Sequence, residues 1–176
     1  MEINLIIVVL ALVIIAAFWV AVGVRHLKFL QRAIKNEWEL IDEDLRKRQN
    51  LIPNLIETVR MFANDQEAVI RRLIETRILA AKEAIPSVRK IEYENDLTRD
   101  LNGIFELGKA NSKLATDTNF LELRKEIEDM EQTVETKTRK YNEMTRYYNE
   151  HRKFLLLKPI AAIFGYERLG IFEMER

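Results

Sequence analysis

The side chains most often used in acid–base or nucleophilic catalysis are scarce in this chain. It has two histidines, His26 and His151, and two serines that are readily explained as helix-cap or loop residues. A bundle-core di-iron site needs a glutamate three residues before each histidine. Gly23 and Tyr148 occupy those positions instead. The spacing therefore does not favour a metal site or a Ser-His-Asp arrangement.

Other catalytic patterns are equally hard to find. Cysteine is absent, which excludes disulfides, thiolate nucleophiles and cysteine-based zinc sites. The five glycines form neither a phosphate-binding loop nor a dinucleotide fingerprint. We interpret the remaining acids as solvated helix faces, and the basic run 46–48, beside the acids at 42–44, as a solvated turn at the end of a helix. We therefore expect a non-enzyme with no catalytic, cofactor-binding or metal-binding residue and no small-molecule substrate.

The charge balance bears on possible partners. Lysine plus arginine equals aspartate plus glutamate at 28 each, so no bulk charge attracts the chain to nucleic acid. Only five glycines and three prolines occur, while alanine, leucine, isoleucine, glutamate, lysine and arginine are abundant. This composition is typical of long helices rather than of strands joined by tight turns.

An uncharged, mainly aliphatic segment extends from Leu5 to Val24. About 20 such residues cross the hydrocarbon core of a bilayer as a helix, and Trp19 near one end suits the interfacial layer. No basic residue precedes the segment, whereas Arg25 and Lys28 follow it at the membrane interface. The positive-inside rule then predicts a single-pass cell-membrane protein with its N-terminus outside and its domain in the cytoplasm. A buried soluble helix and a secretory signal peptide are the alternatives.

Apolar residues continue beyond the span at helical intervals of three and four, from Leu27 to Leu45. We predict one continuous helix over residues 4–49 and a second helix that begins near Pro53, with Asn50 as its N-cap. The break at 84–87 separates a third helix capped by Ser87. A fourth begins at Asn119, in a capping-box pattern, and carries a heptad-like stripe, typical of a coiled coil, to residue 153.

These elements predict an all-α protein, with the N-terminal transmembrane helix continuous with an antiparallel up-down bundle of about four long amphipathic helices. The expected segments are an anchor at 1–24, a helical bundle at 25–153 and an apolar C-terminal tail at 154–176. An up-down order returns the fourth helix towards the membrane. The tail is then expected either to lie near the bilayer or to cover the open end of the bundle, and the two arrangements are compatible.

The clearest motif lies between Leu51 and Val59. Its residues are Leu51, Ile52, Pro53, Asn54, Leu55, Ile56, Glu57, Thr58 and Val59. With Asn119-Phe120 and the paired Tyr-Asn steps at 141–142 and 148–149, this sequence resembles the LemA family over essentially its whole length, including the anchor. The resemblance implies a membrane-anchored helical bundle with no established reaction. It also implies associations, in different relatives, with magnetosome membranes, membrane metalloproteases or envelope stress.

The pattern and the resemblance together favour a non-enzymatic membrane scaffold or adaptor. Such a protein acts by self-association or by docking a membrane partner through its helices. The expected partners are the lipid bilayer and either further copies of the chain or a membrane protein such as a membrane protease. The alternative function is regulation of membrane proteolysis or of the envelope stress response, which only the resemblance motivates.

Overall fold

A computed structural model describes residues 2–62, 66–153 and 157–174, with side chains from Ile6 onward. The helices are α1 (Glu2–Phe62), α2 (Glu67–Lys82), α3 (Val88–Ala110), α4 (Thr118–Lys153) and α5 (Lys158–Ile163), with a 3₁₀ turn at Leu114–Thr116. No strand occurs in these described ranges. The predicted all-α class, with a long apolar N-terminal helix and bundle packing, is confirmed.

The predicted end of the first helix is wrong, because α1 continues through Pro53 to Phe62. Proline inside a helix removes the amide that would bond to the carbonyl four residues earlier, here that of Gln49. In the structure Arg77 Nε of α2 donates to that carbonyl at 2.7 Å. The guanidinium replaces the missing amide, so the helix passes Pro53 with this carbonyl satisfied, and Asn50 is not an N-cap.

The later helix boundaries agree better with expectation. Ser87 caps α3, its hydroxyl accepting from Lys90 N at 3.1 Å, as predicted. The fourth helix begins one residue earlier than predicted, and its first turn is capped differently. Asp117 Oδ1 accepts from Phe120 N at 2.8 Å, which makes Asp117, rather than Asn119, the capping side chain.

The chain divides into two compact units that each combine separate stretches of sequence. Unit 1 contains Met1–Asn36 and Glu143–Leu169, and unit 2 contains Glu37–Asn142 and Gly170–Arg176. Both α1 and α4 therefore contribute to both units. These units follow contacts in space rather than the segments 1–24, 25–153 and 154–176, and that three-segment division stays a prediction.

Unit 2 holds the helical core. Along α1, hydrogen bonds to the α2 segment run in reverse order, as expected for antiparallel neighbours: Arg60–Glu67, Gln49–Arg77 and Trp38–Ala84. Between α1 and α4 the order is also reversed, with the pairs Arg48–Glu131, Asp44–Lys137 and Glu37–Lys140. The core is lined by buried aliphatic side chains of all four helices, including Leu55, Leu73, Leu101 and Ile127.

Unit 1 contains the apolar part of α1. Within the described residues, α1 is the one helix that is long and apolar enough to cross a membrane. Its apolar stretch of 18 residues has a mean hydropathy of 3.1, and 6% of that stretch is buried. The short α5 packs beside this part of α1. Close approach is visible at Gly23, where a Cβ atom would lie 2.8 Å from Leu157 Cδ2 and 2.9 Å from Ile160 Cδ1.

Candidate functional site

The motif at 51–59 occupies two and a half turns of α1, and its residues separate into two faces. Ile52, Leu55, Ile56 and Val59 are buried in the core of unit 2, and Leu51 packs against it. Thr58 is also buried, and its hydroxyl donates to Asn54 O at 3.0 Å. Pro53, Asn54 and Glu57 are exposed. Packing therefore accounts for the apolar positions but not for Asn54 or Glu57.

The exposed motif residues line an open groove between α1 and the start of α4. The groove has a volume of about 740 Å³ and is lined by Asn54, Glu57, Thr58, Arg60, Met61, Asn119, Glu122, Leu123 and Glu126. We call it the signature groove. It brings the motif on α1 together with Asn119, the exposed half of the predicted Asn-Phe element. Three glutamates line it against one arginine, and that arginine already pairs with Glu67 at 3.1 Å.

Phe120 fixes the start of α4 against α3. Its ring is buried, and the Phe105 ring packs edge-on with centroids 6.4 Å apart. A Cβ atom at Gly108 would lie 2.1 Å from Phe120 Cζ, so glycine is required for this close approach. Asn111 Nδ2 donates to Phe62 O at 3.0 Å, which ties the preceding loop to the end of α1. These contacts hold the start of α4 against α3 and the loop before it against the end of α1.

Behind this region, a network of charged side chains is buried in unit 2. Arg48 is 0% exposed, which contradicts its interpretation as part of a solvated turn. Its guanidinium donates to Glu94 Oε2 at 2.6 Å, Glu131 Oε1 at 2.9 Å and Thr98 Oγ1 at 2.8 Å. Only its neighbours Arg46 and Lys47 are solvated. The run 46–48 lies inside α1, so the solvated-turn interpretation fails because the helix does not end there.

Glu94 is the centre of this network. Besides Arg48, its carboxylate accepts from Gln49 Nε2 at 2.9 Å and lies 3.0 Å from Lys90 Nζ. Lys90 is 1% exposed and also donates to Ala80 O at 3.0 Å. The view that the acids lie on solvated faces is therefore wrong for Glu94, as it is for the buried acids Asp44 and Asp100. Buried charges are tolerated when they are paired and hydrogen-bonded.

Sequence reasoning missed these residues although a signal was present. Arg48 falls in phase with the apolar stripe between Leu45 and Ile52, and Lys90 and Glu94 precede Leu97 and Leu101 in the same way. A charged residue at a core-facing helical position indicates a buried partner of opposite charge.

The tail is held in unit 2 by the first Tyr-Asn step. Asn142 Nδ2 donates to Phe172 O at 2.6 Å, and Phe172 N donates to Asn142 Oδ1 at 2.7 Å. Tyr141 OH donates to Gly170 O at 3.0 Å. The buried Phe172 ring packs edge-on against Trp38, with centroids 5.0 Å apart. An amide side chain thus pairs with the extended tail as a neighbouring β-strand would.

Unit 1 repeats this arrangement with the second step. Asn149 Nδ2 donates to Leu169 O at 2.8 Å, Leu169 N donates to Asn149 Oδ1 at 3.0 Å, and Tyr148 OH donates to Glu167 O at 3.1 Å. Burial raises the pKa of the Tyr148 hydroxyl, partly opposed by a hydrogen bond from Gln31 Nε2 at 3.0 Å. We call these two arrangements the tail clamps. They give Tyr141 and Tyr148 a specific role in holding the tail.

The predicted anchor residues lie in unit 1, and the motif residues lie in unit 2. Trp19, Arg25 and Lys28 are exposed and Val24 is half-buried, while the side chain of Leu5 is outside the described residues. The tail residues 154–156 are outside them as well. The part that follows, α5, lies beside the apolar part of α1, and residues 170–172 pack in unit 2.

The described residues hold no cluster of three or more histidines, aspartates or glutamates placed to bind a metal ion. The rings of His26 and His151 approach with centroids 6.0 Å apart in unit 1, and Tyr147 lies 3.7 Å from His151 by the same measure. The buried charged groups of unit 2, such as Arg48, Lys90 and Glu94, pair with one another. The features of unit 2 are thus an open groove lined by exposed polar residues and a buried network of paired charges.

Comparison with known protein families gives a match. A sequence profile of the LemA family matches residues 37–176, which is 140 of the 176 residues. The match includes the motif at 51–59, both tail clamps and the tail, but it begins after the apolar segment, which the resemblance was expected to include. No curated protein is significantly similar to the chain. With the profile match, the signature motif and the helical bundle in agreement, the chain belongs to the LemA family.

Proposed function

We propose that this protein is a non-enzymatic, membrane-anchored scaffold that docks a membrane partner at the signature groove. One observation carries the proposal. The single helix α1 contains both the exposed apolar segment and the motif at 51–59, without interruption. A partner held at the motif is therefore joined to the apolar segment through one uninterrupted helix.

The anchoring part of the proposal is supported by exposure. The large aliphatic residues of α1 between Ile6 and Val22 are exposed, whereas the core helix of a soluble protein would bury them. A contiguous apolar surface of this kind marks a membrane or partner contact. The basic residues that follow it agree with a cytoplasmic domain, which stays a prediction.

The docking part is supported by the polar motif residues that packing does not use. Asn54, Glu57 and Asn119 are exposed in one groove, together with Glu122 and Glu126. Their negative charge favours a partner segment that presents lysine or arginine, because complementary charge speeds encounter and sets register. The floor of the groove contains the exposed Met61 and half-buried Leu123, which suit an apolar side chain between such basic residues.

The experiment is a crosslinking pull-down of the full chain from native membranes, read by mass spectrometry. We expect one stoichiometric membrane protein, crosslinked to the groove through a basic segment. The variant Glu57→Gln/Glu122→Gln should reduce its recovery about tenfold, because each ion pair lost at an exposed docking surface weakens binding by roughly 0.7 kcal/mol. The matched control Glu75→Gln/Glu92→Gln removes two exposed carboxylates outside the groove and should leave recovery unchanged.

Two results would replace this proposal. Recovery of the chain's own crosslinked copies alone, with a defined oligomer by light scattering in detergent, would indicate self-association as the mechanism. Release of the protein from membranes by alkaline carbonate would contradict the anchor. If the captured partner is a membrane protease, the scaffold acts on proteolysis, and deleting the protein should change the turnover of that protease's substrates.

A further inference from the structure

The even balance of charge in the whole chain conceals an uneven division between the two units. Unit 1 contains nine basic and four acidic residues, and unit 2 contains 19 basic and 24 acidic residues. The formal net charges are therefore +5 and −5. The positive unit is the one that contains the apolar part of α1, so its surface favours anionic ligands in the region of that segment.

The short helix α5 separates an apolar surface from a basic one in unit 1. One face, with Pro159, Ile160, Ile163 and Phe164, lines a groove of about 400 Å³ against α1 residues between Leu12 and Val20. The opposite face, with Lys158, Ala161 and Ala162, lines a pocket of about 430 Å³ together with Arg152 and Lys153 of α4. We call the second of these the basic pocket. Both volumes fall within the range of roughly 300–1,000 Å³ that is usual for ligand sites.

The three cations of the basic pocket are not neutralised within the described part of the chain. Lys153 and Lys158 are exposed, and neither forms an ion pair with an acid there. Arg152 Nη1 donates to Tyr166 O at 3.1 Å, but its Nε is buried without a hydrogen-bond partner among the described residues. Among the residues that the structure describes, no acidic side chain lines the pocket. Three cationic side chains that line one pocket and have unused donors are suited to an oxyanion such as a phosphate.

We infer that the basic pocket binds the phosphate headgroup of an anionic phospholipid, with Lys158 at the level of the headgroups and the apolar face of α5 beside α1 among the acyl chains. The apolar face of α5 distinguishes a lipid from a free phosphate ion. Ile163 and Phe164 on that face are 77% and 53% exposed, and they continue the exposed apolar surface of α1. A helix with one apolar and one basic side lies in the membrane interface and prefers anionic lipids. The inference rests on the membrane anchoring proposed above.

Native mass spectrometry of the full chain in a non-ionic detergent tests this site. The probes are dioctanoyl phosphatidylglycerol and dioctanoyl phosphatidylcholine, added in equal amounts. We expect phosphatidylglycerol to be retained about 30-fold more strongly, since each of the two exposed lysines near the headgroup contributes a factor of roughly five. In the variant Lys153→Gln/Lys158→Gln, the ratio of retained phosphatidylglycerol to retained phosphatidylcholine should fall close to one. Ala162→Glu, which keeps both lysines but places a carboxylate in the pocket, should lower it in the same way.

The matched control is Lys28→Gln/Arg32→Gln, which removes the same charge from exposed positions on α1 outside the basic pocket. This control variant should keep most of the preference for phosphatidylglycerol over phosphatidylcholine. Equal retention of the two lipids by the wild-type chain would overturn the inference, as would a control variant that loses as much as the pocket variants. Complete displacement of the lipid by millimolar inorganic phosphate would assign the pocket to free phosphate instead. Carbonate extraction tests anchoring separately, so failure of the lipid site and failure of the anchor are distinguishable.

Discussion

At the scale of single residues, the least expected feature is the set of charges at core-facing positions. Arg48, Lys90 and Glu94 occupy helical positions that an aliphatic residue would fill, yet they are almost completely buried. Their burial is tolerated because each charge faces an opposite charge or a carbonyl within 3.0 Å. Such a network favours one register of the helices, since sliding any helix would leave a buried charge unpaired.

Glu94→Gln tests the energetic importance of this network. Removing the negative charge leaves Arg48 and Lys90 buried without full compensation, so we expect the free energy of unfolding to fall by about 3 kcal/mol. Urea unfolding of the full chain in detergent, followed by circular dichroism, measures the change. Glu92→Gln lies two residues away on the exposed side of α3 and should change the stability by less than about 0.5 kcal/mol. Equal effects of the two variants would mean that Glu94 is not the centre of the network.

At the scale of secondary-structure elements, the length of α1 depends on a contact from another helix. Pro53 predicts the start of a helix, but α1 continues through this residue. It can do so because Arg77 Nε donates a hydrogen bond to the Gln49 carbonyl. Proline inside a helix costs about 3 kcal/mol, and the arginine offsets the part that comes from the unpaired carbonyl. The local sequence pattern alone cannot reveal this contact, because Arg77 is 28 positions from Gln49 in the chain.

A double-mutant cycle isolates that contact. Arg77→Met leaves the Gln49 carbonyl without its donor and should lower the free energy of unfolding by about 1–2 kcal/mol. In the Pro53→Ala background the restored amide can bond to the same carbonyl, so Arg77→Met should cost about 1 kcal/mol less there. Urea unfolding of the four proteins gives the coupling. A cost that is identical in both backgrounds would show that Arg77 does not substitute for the amide.

The spacing of the two tail clamps along α4 is a second feature at the scale of secondary-structure elements. The two Tyr-Asn steps are seven residues apart on α4, which corresponds to a rise of about 10.5 Å in a helix. The residues that the asparagines pair with, Leu169 and Phe172, are three residues apart, which is about 10 Å in extended chain. The sequence repeat therefore matches the dimensions of the segment that it binds.

Asn142→Ala tests the clamp in unit 2. The change removes both hydrogen bonds to Phe172, so the tail should detach more often and become a better protease substrate. Two lost bonds of about 1 kcal/mol each predict cleavage near Gly170 that is roughly 30-fold faster. Limited proteolysis in detergent, read by mass spectrometry, measures the rate. Glu143→Ala, at the neighbouring exposed position, is the control; a tail that is cleaved equally fast in both variants would argue against the clamp.

At the scale of the whole molecule, the positions of the charges predict an orientation across a membrane. The four residues before the apolar segment include no lysine or arginine, and the basic residues follow it. This asymmetry predicts an external N-terminus and a cytoplasmic bundle. The absence of cysteine allows a direct check, because any cysteine that is introduced will be the only one in the chain.

Glu2→Cys and Glu75→Cys, expressed separately in intact cells, test the orientation. A membrane-impermeant maleimide should label the cysteine at position 2 without lysis and the cysteine at position 75 only after lysis. The opposite pattern would reverse the predicted topology. Labelling of both sites in intact cells would show that the bundle is not cytoplasmic.

The sequence by itself determined the helical class, the apolar segment, the amphipathic stripes, the break at 84–87 and the family motif. These features depend on composition and on local periodicity, which are present in any short stretch of chain. The tertiary structure decided where α1 ends, which charged residues are buried and which exposed motif residues share a groove. It also decided how the tail is held. Each of these depends on side chains far apart in sequence, such as Arg77 with Gln49 or Asn142 with Phe172, that only packing brings into contact.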